Sequence, residues 1–179
     1  MKYFEKDLFR YYGNKKRSLK AKFATPKQLK YIKIFRKCKS CKNKIIRTYY
    51  RFLLLSLQKK TAIQIPYKTE IGEGFYIGHL GSVVINPMAV IGKNVNIAQG
   101  VTIGQENRGA RKGAPRIGNE VWIGANAVIV GNITIGDDVL IAPLSFVNFD
   151  VPSHSIVIGN PAKIIHRENA TEGYISNKV

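Results

Sequence analysis

The amino-acid sequence predicts a mainly β fold: a column of short parallel strands led by a short basic α-helical region. Three observations predict it. Apolar β-branched residues recur every six positions over most of the chain, turn-forming residues stand between them, and the excess positive charge is confined to the first third.

The period is carried by Ile91, Ile97 and Ile103 and, after an interruption, by Ile117, Ile123, Ile129, Ile135, Ile141 and Val147. Four residues after a leader stand Val95, Val101, Val121, Ala127, Ile133, Val139 or Ser145. An earlier set, Ile65, Ile71, Ile77 and Val83, keeps the beat with a two-residue slip before Ile85. An α-helix would carry such leaders around its whole circumference, so the repeat is not helical. It fits short strands joined by tight turns, with Gly92, Gly118, Gly136, Asn94, Asn126 and Asp138 at the turns. The leaders then point inward and the residues four later fill the corners, each buried isoleucine contributing about 2 kcal/mol. Successive coils stack at about 4.8 Å, which leaves exposed strand edges only at the two ends of the column.

That register, together with the ending "VPSHSIVIGNPAKII" and its Gly-x-Pro-Ala-Lys step, resembles the hexapeptide-repeat acyltransferases. The resemblance covers residues 63–166, with a basic helical region, 1–62, before it and a tail, 167–179, after it. It implies a left-handed parallel β-helix of triangular section, a hand opposite to the general rule for parallel crossovers. It also implies a homotrimer with active sites between neighbouring columns, and acetyl-CoA as the acyl donor. A repeat column without chemistry is the alternative.

The beat stops at Gly104 and resumes at Ile117, so residues 104–116 leave the column as a loop carrying Arg108, Arg111, Lys112 and Arg116. A solvated basic loop is the plain reading. The functional one is a flap whose cations meet phosphate, and the resemblance favours it, because in that family this loop walls the acyl-CoA site. The residues it implies for the donor are Gly104, Arg108, Arg111 and Lys112, with Ala125 near the pantetheine, Ala142 and Pro143 in the last coil, and Lys163 reaching phosphate at the end of the column.

His79 stands two residues after the leader Ile77, at an outward position, flanked by Gly78 and Gly81, which leave room for a substrate. Transfer of an acyl group to a hydroxyl needs a base that takes the proton as the oxygen attacks the thioester, and a neutral imidazole suits that task. A simple surface histidine is the alternative. In the serine acetyltransferase branch of the family a catalytic histidine lies in a "DHATG" segment, which matches "GHLGS" here, so the resemblance assigns His79 as general base. That branch supports its base with an aspartate where this chain has Gln64, carries another aspartate at Gly78, and has an Arg-His pair at Gly113-Ala114. These departures remove charge partners for an amino acid. They lead to the expectation of a saccharide hydroxyl as acceptor, as in the related enzymes of capsule and exopolysaccharide synthesis, with Gln64 or a backbone carbonyl orienting His79. Serine O-acetyl transfer is the alternative reading.

The spacing of His79, His154 and His166 lacks the clustering of a zinc site, and Cys38 and Cys41 form a lone CxxC without further ligands, so no metal is expected. Residues 1–60 hold 20 Lys/Arg against Glu5 and Asp7, whereas residues 61–179 hold nine of each sign. Thr25-Pro26 reads as an N-cap and first helical position, and Gly13 as a helix stop. The resulting amphipathic helices either pack on the column or lie on an anionic membrane surface. No nucleic-acid recognition motif accompanies the charge. The chain start has no secretory apolar run, which, with the reduced thiols, points to the cytoplasm or the inner face of the membrane.

Overall fold

The computed structural model describes residues 2–14 and 25–179; residues 15–24 of the basic leading region lie outside them. Helices α1 (Lys2–Tyr12), α2 (Lys27–Ser40) and α3 (Lys44–Thr61) precede fifteen short strands. Helix α1 stops at Gly13, at φ +57°, as expected. Helix α2 starts one residue later than the sequence suggests, with Pro26 rather than Thr25 at its cap, and the side chain of Asn43 caps α3 by accepting from the amides of Ile45 and Ile46.

The strands wind as a parallel β-helix of about five turns with three faces. The first face holds β1 (Ile63–Gln64), β4 (Val83–Ile85), β7 (Thr102–Gly104), β10 (Val128–Val130) and β13 (Phe146–Val147). The second holds β2 (Glu70–Ile71), β5 (Val90–Ile91), β8 (Arg116–Ile117) and β11 (Thr134–Ile135). The third holds β3 (Tyr76–Ile77), β6 (Asn96–Ile97), β9 (Trp122–Ile123), β12 (Val139–Ile141), β14 (Ser155–Gly159) and an antiparallel final strand, β15 (Ala162–His166). The six-residue leaders stack in register inside the column, Ile77 on Ile97, Ile123, Ile141 and Val157 being one file. All five are buried.

The first coil presents edge strands with no coil before them, and the helices close each one. On β3, the Tyr11 hydroxyl donates to Ile77 O (2.7 Å) and accepts from Ile77 N (3.1 Å). Beyond β1, the Tyr31 hydroxyl does the same at Ile65 (3.1 and 3.0 Å). At β2, the Arg36 guanidinium donates to Ile71 O and Gly72 O (2.7 and 2.6 Å) while pairing with the buried Asp7 carboxylate (2.7 and 3.0 Å). Burial pushes both phenols up, Tyr31 to about 12, so both keep the proton they donate. The leading region is thus a cap on the column, and it satisfies backbone groups that an open edge would leave for another chain.

The tail runs back along the third face. Asp138 accepts from the Ala170 amide (2.9 Å) and from the Thr171 amide and hydroxyl (3.0 and 2.7 Å). Tyr174 packs on Trp122, Arg10 donates to Ser176 O (2.8 Å), and the Asn94 side chain pins both backbone polar groups of Val179. His154 Nδ1 lies 2.9 Å from Asp138, and that bond holds the imidazole above its usual 6.5. Burial alone would push the Asp138 carboxyl up, but the Thr171, His154 and Ala170 bonds together hold it below 3.8. The His154 contribution is therefore present below pH 6.5 and lost as pH rises through the raised value, while that of Asp138 is present above pH 3.8 and lost as pH falls through the lowered one. Amide-exchange protection at Ala170 and Thr171 is expected to be greatest between those limits and to fall as pH rises through the raised value of His154. In His154→Asn that fall should disappear.

Candidate active site

His79 sits on the edge where the third face turns into the first. From Ile77 to Ile85 the chain takes eight residues, whereas Ile97 to Ile103 takes six. Since Ile77 stacks on Ile97 and Ile85 on Ile103, both extra residues belong to this corner. The two-residue slip in the repeat is therefore the longer turn that carries His79 outward, where it is exposed. Gly81 has φ +149°, and a Cβ there would stand 2.8 Å from Gln99 Cβ, so the turn lies flat on the coil above only because residue 81 is glycine.

The backbone leading into the turn is fixed from three sides. Gly78 N donates to Ile97 O (3.1 Å), Tyr11 clamps Ile77, and Gln28 Nε2 donates to Gly78 O (3.3 Å). Sequence reasoning missed Tyr11 and Gln28, which carry no signal beyond membership of amphipathic helices. Gln64 lies exposed on the outer face of β1, opposite Val84 in register. Among the described residues no hydrogen bond joins Gln64 to His79.

The same edge continues upward through Gln99, Ala125-Asn126 and Pro143-Leu144, tied by Asn126 N to Gln99 O (3.0 Å) and Leu144 N to Ala125 O (2.9 Å). At one coil per about 4.8 Å, Ala125 stands about 10 Å above His79. Ala142 does not share this edge: it is buried with Leu140 against Ala170, so the tail covers it. Lys163 is exposed on β15 at the far end of the column.

Residues 104–116 depart from Gly104 at the other border of the first face, between β7 and β8. They form a small hairpin, with Glu106 and Gly113 exchanging backbone bonds at 3.0 Å. Arg111 is drawn into it, its Nε 3.3 Å from Glu106 and its carbonyl accepting from Asn132 N (2.8 Å). Arg108, Arg111 and Lys112 all stay exposed. Ala114 is buried in the core. Within one column His79 and the loop therefore border the first face on opposite sides, and its outer positions Val84, Thr102, Val128 and Phe146 are half-buried. Among the described residues no group of three or more His, Cys, Asp or Glu could hold a metal ion.

A coiled column of this register with a single interrupting loop defines a class: the chain belongs to the hexapeptide-repeat transferase family, whose "Bacterial transferase hexapeptide (six repeats)" model matches residues 114–148. Its relatives are serine acetyltransferases. Serine acetyltransferase 2 of Arabidopsis thaliana is 43% identical over 119 residues, which is 64% of this chain and 37% of that protein. The Helicobacter pylori serine acetyltransferase is 39% identical over 108 residues, 60% of this chain and 63% of that one. The crystal structure of Neisseria gonorrhoeae serine acetyltransferase in complex with serine superposes with a TM-score of 0.75 at 32% identity, covering 92% of this chain and 68% of that chain. A serine acetyltransferase in complex with CoA gives a TM-score of 0.68 at 29% identity, covering 79% and 58%. The chain spans about a third of the length of the plant relatives it matches.

These relatives overturn the expectation of a saccharide acceptor and the resemblance to capsule and exopolysaccharide enzymes. That expectation rested on the polar side chains missing at Gln64, Gly78 and the Gly113-Ala114 pair. Side chains are not the only groups that receive an amino acid, and backbone amides in a turn can meet a carboxylate equally well.

Proposed function

We propose that the chain transfers the acetyl group of acetyl-CoA to the hydroxyl of serine. The observation that carries the reading is the shared fold with a serine acetyltransferase holding serine, over 92% of this chain. His79 takes the proton from the serine hydroxyl as the oxygen attacks the thioester carbonyl. A C–O bond forms, the C–S bond breaks, and the imidazolium returns the proton to the departing thiolate of CoA. The amides of Leu80, Gly81 and Ser82 donate to no backbone carbonyl among the described residues, and they offer the serine carboxylate donors in place of the missing side chains. Gly78 and Gly81 keep that approach open.

Arg108 and Lys112 meet the phosphates of CoA, with Arg111 fixing the hairpin against Glu106 and Gly104 starting it. The pantetheine follows the edge past Ala125 towards Pro143, and Lys163 lies beyond it. Since loop and histidine border opposite sides of the first face, a homotrimer that packs first faces together would bring one column's loop to its neighbour's His79. The enzyme would work in the cytoplasm, where acetyl-CoA is drawn upon. Thiol release from acetyl-CoA is expected to saturate with L-serine; release no faster with L-serine than with acetyl-CoA alone would overturn the proposal.

A further inference from the structure

Helix α3 is apolar on two opposite sides. One side packs against α2 and the column, burying Leu54 and Thr61. On the other side Ile45, Tyr49, Phe52 and Leu55 are 82, 59, 68 and 53% exposed. Their spacing of four, three and three residues places them in one stripe, about 15 Å long at the helical rise. Single exposed apolar residues are ordinary, whereas an aligned row of four marks a surface that meets something.

The flanks of the stripe say what it meets. Lys44, Arg51, Lys59 and Lys60 are exposed beside it, and α3 contains no acidic residue. In the wider leading region the acids are Glu5 and Asp7, and Asp7 is consumed by Arg36. A second copy of this face would bring cations against cations. A surface that is apolar below and anionic at its rim complements both features at once, and no helix among the described residues is long and apolar enough to cross a membrane. We infer that α3 is an interfacial helix that lays Ile45, Tyr49, Phe52 and Leu55 into an anionic lipid bilayer, with its lysines and arginine at the headgroups.

The test is sedimentation of the full chain with vesicles of phosphatidylcholine alone or containing phosphatidylglycerol. Binding to the anionic vesicles only, weakening with added salt, is expected. Phe52→Asp, a change on the outward side, should reduce it at least tenfold with the melting temperature unchanged. Phe52→Trp keeps the apolar stripe if the aspartate variant proves unstable, and its added fluorescence over that of Trp122 should be quenched by brominated lipid. Failure of the wild-type chain to sediment with anionic vesicles overturns the inference. So does added fluorescence in Phe52→Trp that brominated lipid leaves unquenched. A Phe52→Asp variant that loses oligomeric mass in sedimentation velocity while keeping its vesicle binding also overturns it, because the stripe is then a contact between copies. None of these readings depends on which acceptor the enzyme uses.

Discussion

Replacing His79 by alanine is expected to lower kcat for acetyl transfer by about 10²–10⁴-fold, the usual contribution of a positioned general base. The KM for acetyl-CoA should change little, because the groups proposed to hold the donor lie on the loop and along the column edge. Stability should be unaffected to within about 0.5 kcal/mol, since the side chain is exposed and makes no hydrogen bond among the described residues. The rate and the melting temperature therefore move independently, which separates a catalytic loss from unfolding. An unchanged rate would show that the proton leaves by another route and would remove His79 from the mechanism.

The largest effect on stability is expected at Arg36. Its side chain is 7% exposed and that of its partner Asp7 is fully buried, and the same guanidinium closes the edge of β2 at Ile71 and Gly72. Arg36→Ala leaves a buried carboxylate without a counter-charge, a change that typically costs about 3–5 kcal/mol. For a chain of this size that corresponds to a fall in melting temperature of roughly 10 °C. Asp7→Asn combined with Arg36→Ala should cost less than the sum of the two single changes, because the stranded charge is gone in the double variant. Additive losses in urea unfolding would show that Arg36 acts only through its backbone bonds.

The column is legible in the sequence because its register is a local property. An uninterrupted coil takes eighteen residues, as from Ile123 to Ile141, so successive leaders have to face the same interior whatever surrounds them. The two-residue slip before Ile85 is equally visible, but its meaning is not: only the stacking of Ile77 on Ile97 and Ile85 on Ile103 shows that both extra residues belong to the His79 turn. Tyr11, Tyr31 and Arg36 are hidden for a different reason. Each closes a strand edge more than thirty residues away in sequence, and nothing in an amphipathic helix reveals which strand it will meet. The composition marks where the loop leaves the column but not the hairpin it forms, since the pairing of Glu106 with Gly113 depends on backbone bonds and not on side-chain type. Reading the acceptor from the side chains at Gln64, Gly78 and Gly113-Ala114 fails because side chains are not the only groups that can receive an amino acid.

Where the acetyl group goes decides most directly whether the chain is a serine acetyltransferase. Incubation with acetyl-CoA and L-serine, with the acetyl carbon followed by NMR, separates transfer from hydrolysis. O-acetyl-L-serine in equal amount to the CoA thiol released is the expected result. Free acetate as the sole product, at the rate seen without serine, would contradict it.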